Sequence, residues 1–464
     1  MPELHRLEEE LAACLGDDRA WTTDPDVLAA YSRDESAFTR SGRPAALVRP
    51  TSTEQVSAVC RLASRLRVPI VPRGAGTGLS GGSCAVDGCI MLSLERMNAI
   101  VEIDTVDAVA VVQPGVLNAR LRKAVEAESL FYPPDPSSYE IASIGGNVAT
   151  NAGGLCCVKY GVTRDYVIGL EVVLPDGRVL RTGRRTRKGV AGLDLTGLMV
   201  GSEGILGVIT EIVVRLERHP GPRRSTILAE FGSLAEAADA VNAVTRTVRP
   251  AMLEIMDATA VAAVERHRPM GIDEGVAALL IAESDLLDDA SRAAEIAAMS
   301  EAMERSGALA VHATDDPQES EMLVGVRRMA GTAMEALGRV LIGDVAVPVS
   351  ALNPLLTGIQ AIAEDEGAWV AIIGHAGDGN MHPTIIFDAH DPKQESRAYR
   401  TYRRISRLGL SLGGTVTGEH GIGTLKSELL AEEIGEVGVA VHRAVKQALD
   451  PLGIMNPGKV IATR

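Results

Sequence analysis

The chain has 464 residues, a formal net charge of −15, a 46% hydrophobic share, 47 glycines and six cysteines. That length leaves room for two or three domains with a substantial core, in a loop-rich soluble α/β or α+β enzyme. The acidic balance excludes nucleic acid as a partner, no run of 18 apolar residues offers a membrane span, and without a C-x-x-C pair neither a zinc ribbon nor an iron–sulfur cluster is supported.

The first stretch, "MPELHRLEEELAACLG", reads as an amphipathic helix, and residues 1–41 are expected to be helical. It lacks a basic leader and an apolar core, so a signal peptide is not expected. Scattered thiols suit a reducing cytoplasm, with the protein dissolved there or peripheral to a membrane. "PAALVRPTSTEQVSAVCRLASRLRVPIVP" predicts strand, helix and strand, the helix capped by Thr51 or Ser52 with Glu54 in its first turn. It runs into "PRGAGTGLSGG", where Gly76, Gly78 and Gly81 satisfy G-x-G-x-x-G. A dinucleotide fingerprint needs a helix opening from that loop. Here "SCAVDGCIMLSL" follows, with Gly88 and a new strand, so a Rossmann site is rejected. A glycine run between strands can still turn consecutive N–H groups toward a phosphate.

Two strands and a helix follow in "AIVEIDTVDAVAVVQPGVLNARLRKAVEAESL", then a long polar stretch to Gly161 that holds "PPDPSSYEIASIGGNVATNAGG". Long aperiodic loops in compact domains tend to be functional. "VIGLEVVLPDGRVLRTG" predicts a hairpin turning at Asp176-Gly177. "DLTGLMVGSEGILGVITEIVVRLERHP" predicts a short helix, a glycine turn and a long strand. From about 221 to 415, Ala/Glu-rich helices alternate with strands, and the last fifty residues return to a glycine loop, a helix and "NPGKV". The expected division is 1–41 helical, 42–220 cofactor domain, 221–415 cap and 416–464 a closing segment. No G-K-[ST] follows any glycine run, so several separated loops point to an extended ligand such as a flavin dinucleotide.

Together "PRGAGTGLSGG", "PPDPSSYEIASIGGNVATNAGG", "KYGVTRDYVIGLEVVLPDG" and "GSEGILGVIT" resemble the flavin domain of the vanillyl-alcohol oxidase/p-cresol methylhydroxylase superfamily. With "GHAGDGNMHPTI", "TGEHGIG" and "NPGKV" the chain is similar to its D-2-hydroxy acid dehydrogenase branch, from about residue 40 onward. The resemblance implies an α+β fold: a two-subdomain flavin domain and a cap built on an antiparallel sheet covered by helices. It implies the flavin pyrophosphate on the 74–82 loop, with the ring between the 133–161 block and the cap. On these motifs the FAD contacts fall to Pro72, Arg73, Gly74, Ala75, Gly76, Thr77, Gly78, Leu79, Gly81 and Gly82. In the second block they fall to Asp135, Pro136, Ser143, Ile144, Gly145, Gly146, Asn147, Asn151, Ala152, Gly154, Tyr160 and Gly161. Glu203, Gly204, Gly207, Val208, Ile209 and Asn456 complete the set. No histidine lies between residues 6 and 218, so FAD is expected to be non-covalent, with Cys156 and Cys157 packed rather than linked to it.

The chemistry centres on "IIGHAGDGNMHPTII". Asp378-Gly379 is a hairpin signal, which sets His375 and His382 on the shoulders of one turn. With Glu419 they make a two-histidine, one-carboxylate set suited to catalytic zinc, or to manganese, cobalt or iron(II). In an extended segment His420 would point away from Glu419. The glycines at 418, 421 and 423 predict an irregular turn instead, leaving His420 as the general base. Arg327 matches the family's substrate arginine, and its planar fork suits a carboxylate; Arg328 reads as a solvated or structural partner. Hydroxyglutarate-specific relatives carry a lysine just before the aspartate of the "DVAVP" strand. Ile342 and Gly343 stand there in this chain, so a monocarboxylate such as D-lactate, glycolate or a larger apolar acid is expected over D-2-hydroxyglutarate. Arg328 or Lys426 are the cations that could reverse this.

The competing readings are a flavin-free metal hydrolase, a non-redox flavoprotein of the same superfamily, and a flavin subunit inactive alone. No nicotinamide, haem or cluster motif is present, so electrons are expected to leave to a quinone, an electron-transfer flavoprotein or another carrier. A homodimer is a possible assembly.

Overall fold

The computed structural model describes residues 2–17, 19–186, 188–218, 221, 223–273 and 275–461. The chain divides into two compact units, Met1–Gly153 with Val162–His219 and Glu419–Arg464, and Gly154–Gly161 with Pro220–Gly418.

Among the described residues the first unit has a four-stranded sheet, a five-stranded sheet and a two-stranded pair, Leu130–Phe131 with Glu217–Arg218. The β-α-β pattern forms as expected: helix Thr53–Leu66 is capped by Ser52, whose hydroxyl accepts from Gln55 N, and ends at Arg67 in the left-handed region (φ 55°). Its apolar face buries Val56, Val59, Cys60 and Leu62 against strands Ala46–Val48, Ile70–Arg73 and Ile90–Ser93. Ala46–Val48 and Ile70–Arg73 both pair in parallel with Ile90–Ser93 between them, and the helix is the crossover that parallel strands require. No helix separates Ile70–Arg73 from Ile90–Ser93, so the rejection of a Rossmann loop holds. The second sheet is antiparallel throughout, with the hairpin Val167–Val173/Val179–Gly183 turning at Gly177 (φ 84°).

Residues 1–41 differ from a plain helical segment. Helices Pro2–Leu15 and Pro25–Tyr31 flank a strand, Trp21–Thr22, that pairs with Leu47 and Val48. Leu7, Leu11 and Leu15 join the core beneath helix Thr53–Leu66, so this segment is part of the first unit. The 133–161 stretch also holds more regular structure than expected, in the short helices Ile144–Thr150 and Cys157–Tyr160. Only the first has a side-chain cap, Ser143, and neither shows enough apolar periodicity to be read from sequence.

The second unit is a single antiparallel sheet covered by helices. Its strands, in chain order, are β1 (Ser225–Phe231), β2 (Met252–Asp257), β3 (Ala278–Ser284), β4 (Ala308–Thr314), β5 (Arg339–Ile342), β6 (Val345–Ala346), β7 (Trp369–His375) and β8 (Asn380–Phe387). The spatial order is β4-β1-β3-β2-β7-β8-β5, with β6 also paired to β8. Helices Ala258–His267 and Pro317–Glu335 bury Val261, Val264, Val326 and Ala330 on the face that carries Met256, Leu279 and Ile373.

The segment 154–161, expected in the flavin domain, belongs here. Leu155 packs with Met252, Ile281 and Val324, and Lys159 and Tyr160 are held by the buried carboxylate of Asp285. The expected boundary at 220/221 falls on Pro220, outside the described residues. At the other end residues 415–418 stay with this unit, because Thr415 bridges Ala346 and Thr417 donates to Asp344 at 2.7 Å.

Candidate active site

In the first unit the cofactor loops are shaped by main chain. Gly76 (φ 82°) and Gly81 (φ 78°) are left-handed, a region that costs other residues roughly 1–2 kcal/mol. A side chain at Gly76 would also overlap the Arg73 guanidinium, and one at Gly81 would meet Thr39 and Thr424 at 2.5 Å. Gly74 closes on the helix Ile144–Thr150: a Cβ there would lie 2.5 Å from Ser143 Oγ and 3.5 Å from Gly146. The loop and the Ser143–Gly146 turn thus form one cradle that a single methyl group would fill, which fits a phosphate-bearing cofactor.

Several expected contact residues brace this cradle. Glu203 is itself left-handed (φ 50°), and its carboxylate accepts from Ile422 N at 2.7 Å and Gly423 N at 2.8 Å. Burial pushes its pKa up, and the two N–H groups and Lys426 pull it back. Asn456 donates to the Gly82 and Glu203 carbonyls at 2.9 and 2.8 Å. Asn147 accepts from Asn118, and Asn151 accepts from Arg164 N. Arg73 donates to the Arg33 carbonyl and lies over Tyr31. Val208 packs in the core, and a Cβ on Gly207 would press on Val172. These positions form the walls of the loops. In the same unit Lys426 is buried. Glu419 and His420 approach each other, Oε1 to Nε2 3.7 Å, in a turn where Gly421 and Gly423 are left-handed. That is the irregular turn read from the glycines.

In the second unit the site is made of side chains. β7 and β8 form the expected hairpin around Asp378-Gly379, Gly379 being left-handed (φ 81°). The register pairs His382 with Ile373 and His375 with Asn380, and alternation puts both histidines on the Ile373 face. Their rings meet edge-on, centroids 5.1 Å apart, and both are buried. Asn380 donates to Asp344 Oδ1 at 2.9 Å, and His382 Nδ1 lies 3.4 Å from the Gly343 carbonyl and 3.9 Å from Asp344. Gly343 is forced by its neighbour: a Cβ there would lie 2.8 Å from Pro383 Cγ.

Arg327 is 5% exposed on the helix Pro317–Glu335, whereas Arg328 is exposed and paired with Glu321. Glu254, on β2, was not anticipated from sequence. Its Oε1 lies 2.7 Å from His375 Nδ1 and its Oε2 2.8 Å from Arg327 Nε. The sequence sign of it was a carboxylate inside the apolar strand "MLEIM". Asp285 was likewise missed. It holds Tyr160, assigned above to FAD, at 2.5 Å from its hydroxyl, and burial together with that carboxylate pushes the phenol pKa up.

Two family models match: a FAD binding domain over residues 44–183 and the C-terminal domain of FAD linked oxidases over 222–460. The chain is 39% identical to the glycolate oxidase subunit GlcD of Bacillus subtilis, over 93% of this chain and 92% of that protein. It is 35% identical to a D-lactate dehydrogenase of Anaerostipes hadrus, with 93% and 92% covered. Among solved structures, p-cresol methylhydroxylase superposes with a TM-score of 0.83 at 19% identity, covering 100% of this chain and 98% of the other. Alkyldihydroxyacetonephosphate synthase gives 0.76 at 21%, covering 98% and 86%. At such identities the structural likeness speaks for the fold alone. The chain belongs to the FAD-linked oxidase family, in its D-2-hydroxy acid dehydrogenase branch, and is an FAD-dependent oxidoreductase.

Proposed function

We propose that the chain oxidises a monocarboxylic D-2-hydroxy acid, such as D-lactate, glycolate or a larger apolar acid, to the 2-oxo acid. The observation that carries this is the buried set on one face of the cap sheet, where His375 and His382 converge and Arg327 lies on a shared carboxylate. Relatives that bear the names glycolate oxidase and D-lactate dehydrogenase support the substrate class. Bound FAD supplies a hydride acceptor, and a divalent metal, zinc first among them, supplies Lewis acidity toward the substrate hydroxyl.

The donors fit such a metal. With Nδ1 of His375 donating to Glu254, Nε2 is the ring's ligating atom. His382 is the second ligand, and Glu419 is assigned as the third. His420, as a neutral imidazole, takes the hydroxyl proton, while Arg327 binds the substrate carboxylate through its terminal nitrogens. FAD is held without a covalent bond, in keeping with the lack of histidine from residue 6 to 218. Its loops are 74–82, 133–161 and 201–207. No helix among the described residues is long and apolar enough to cross a membrane. In this reading the enzyme is cytoplasmic or peripheral and passes its electrons to a carrier other than nicotinamide.

The distal end sets the preference. Ile342 and Gly343 carry no charge, and Gly343 is hemmed in by Pro383. A second substrate carboxylate left unpaired in a dry site costs several kcal/mol, roughly. We therefore expect D-2-hydroxyglutarate to be at least about tenfold poorer in kcat/KM, a difference of only ~1.4 kcal/mol. Anaerobic mixing with D- and L-2-hydroxy acids, followed by flavin bleaching, tests the reading. D-monocarboxylates should bleach fastest and L-acids not at all. Fastest bleaching by D-2-hydroxyglutarate would overturn the preference, and bleaching by none would overturn the dehydrogenase.

A second reading, a flavin subunit that needs partners, is favoured by one observation. Within Ser427–Leu449, the helical stretch that follows the kink at Gly435 exposes Val437 (79%) and Val441 (56%), and relatives carry "subunit" in their names. Reduction of an artificial dye by this chain alone would exclude it.

A further inference from the structure

β2 is buried along its whole length, yet it places a carboxylate in its interior. Alternation puts Met252, Glu254 and Met256 on one face. Met252 packs with Val324, and Met256 clusters with Val326 and Ala330. Glu254 therefore lies between two apolar patches against the helix that carries Arg327, with its side chain 1% exposed. An ionised carboxylate in such surroundings persists only when it is paired. Both oxygens have partners of different kinds: Oε1 accepts from His375 Nδ1, and Oε2 faces Arg327 Nε at 2.8 Å, off the N–H axis, as an ion pair.

We propose that Glu254 is the positioning residue of the cap site, one carboxylate that aims the ligating atom of His375 and the carboxylate-binding fork of Arg327 together. The proposal rests on the dehydrogenase reading above. A carboxylate on Nδ1–H fixes the tautomer whose lone pair is on Nε2 and makes that nitrogen a better donor to a metal. The ion pair at Nε anchors the guanidinium by charge and leaves Nη1 and Nη2 as the parallel pair that a substrate carboxylate requires. The negative charge also offsets that of Arg327, so the arginine stays buried before any anion arrives. The register explains why one residue can serve both. Met256 pairs with Ile373 across β2 and β7, so Glu254 comes level with His375 two positions on, while the helix crosses the same face. Metal affinity and substrate affinity are thereby linked through a residue that touches neither ligand.

Glu254→Gln keeps the shape and removes the charge. In folded, flavin-loaded protein, zinc affinity measured by competition with a chromophoric chelator should fall about 10- to 100-fold. The KM for D-lactate should rise about tenfold, with a smaller change in kcat. Glu254→Asp, one methylene shorter, satisfies at most one partner, so one of the two readouts should move at least about fivefold; it decides the matter if the glutamine variant does not fold. A merely structural glutamate would lower the melting temperature and leave both constants within about twofold, and that result overturns the proposal. Wild-type protein that takes up no zinc, matching His382→Ala, overturns the underlying metal reading instead, so the two failures are distinguishable.

Discussion

The cradle of the first unit and the hairpin site of the second are built by opposite means. Around Gly74, Gly76 and Gly81 the surface proposed to meet the flavin is main chain, and side chains such as Glu203 and Asn456 hold the loops from behind. Around His375, His382 and Arg327 the working surface is side chain, and a sheet register brings it together. The two kinds of site therefore fail differently. A main-chain cradle is broken by adding atoms, a buried charged set by removing them.

The largest effect should come from removal. His382→Ala is expected to lose bound metal and to lower kcat/KM by about a thousandfold or more, an order of several kcal/mol for a lost Lewis acid. Flavin should remain. Metal content equal to wild type would break the contrast. Addition in the first unit should give the mirror image. Gly76→Ala puts a Cβ into the Arg73 guanidinium at φ 82°. At roughly 1–2 kcal/mol of backbone strain alone it should weaken FAD binding about tenfold, while zinc affinity of the apoflavoprotein stays unchanged. FAD titration by fluorescence quenching and the same chelator competition measure both arms.

The smallest effect sharpens what burial does to an acid outside either site. Asp257 caps the helix Ala258–His267 by accepting from Ala260 N at 2.8 Å, and burial pushes its pKa up to about 7. In an unfolded chain it is about 3.9. Between these values the folded protein binds the extra proton, so this contribution to stability is full below about pH 4 and is lost as pH rises to about 7. Asp257→Asn still caps the helix and has no proton to lose. Its melting temperature should fall by a few degrees less than that of wild type between pH 5 and pH 8. Parallel pH curves would contradict the buried-acid account.

How much of this was legible in sequence follows from the same contrast. Glycine is demanded locally, by a positive φ or a close approach, so "PRGAGTGLSGG" and "GEHGIG" announced their turns. The hairpin shoulders His375 and His382 were legible because Asp378-Gly379 fixes a short loop. Glu254 and Asp285 were not, because their partners are distant in sequence, 121 residues on for His375 and 125 back for Tyr160. Strand register makes the first pair, and the packing of the 154–161 segment on the sheet makes the second. For the same reason the placement of 154–161 in the second unit escaped a reading by chain order: Leu155 and Tyr160 are claimed by a sheet that begins at Ser225.

The most direct test of the account is to strip the yellow enzyme of metal with a chelator and mix it anaerobically with D-lactate. We predict that the flavin stays bound and oxidised, and that added zinc or manganese restores rapid bleaching. Metal-free protein that bleaches as fast as the untreated enzyme would contradict the assignment of His375, His382 and Glu419.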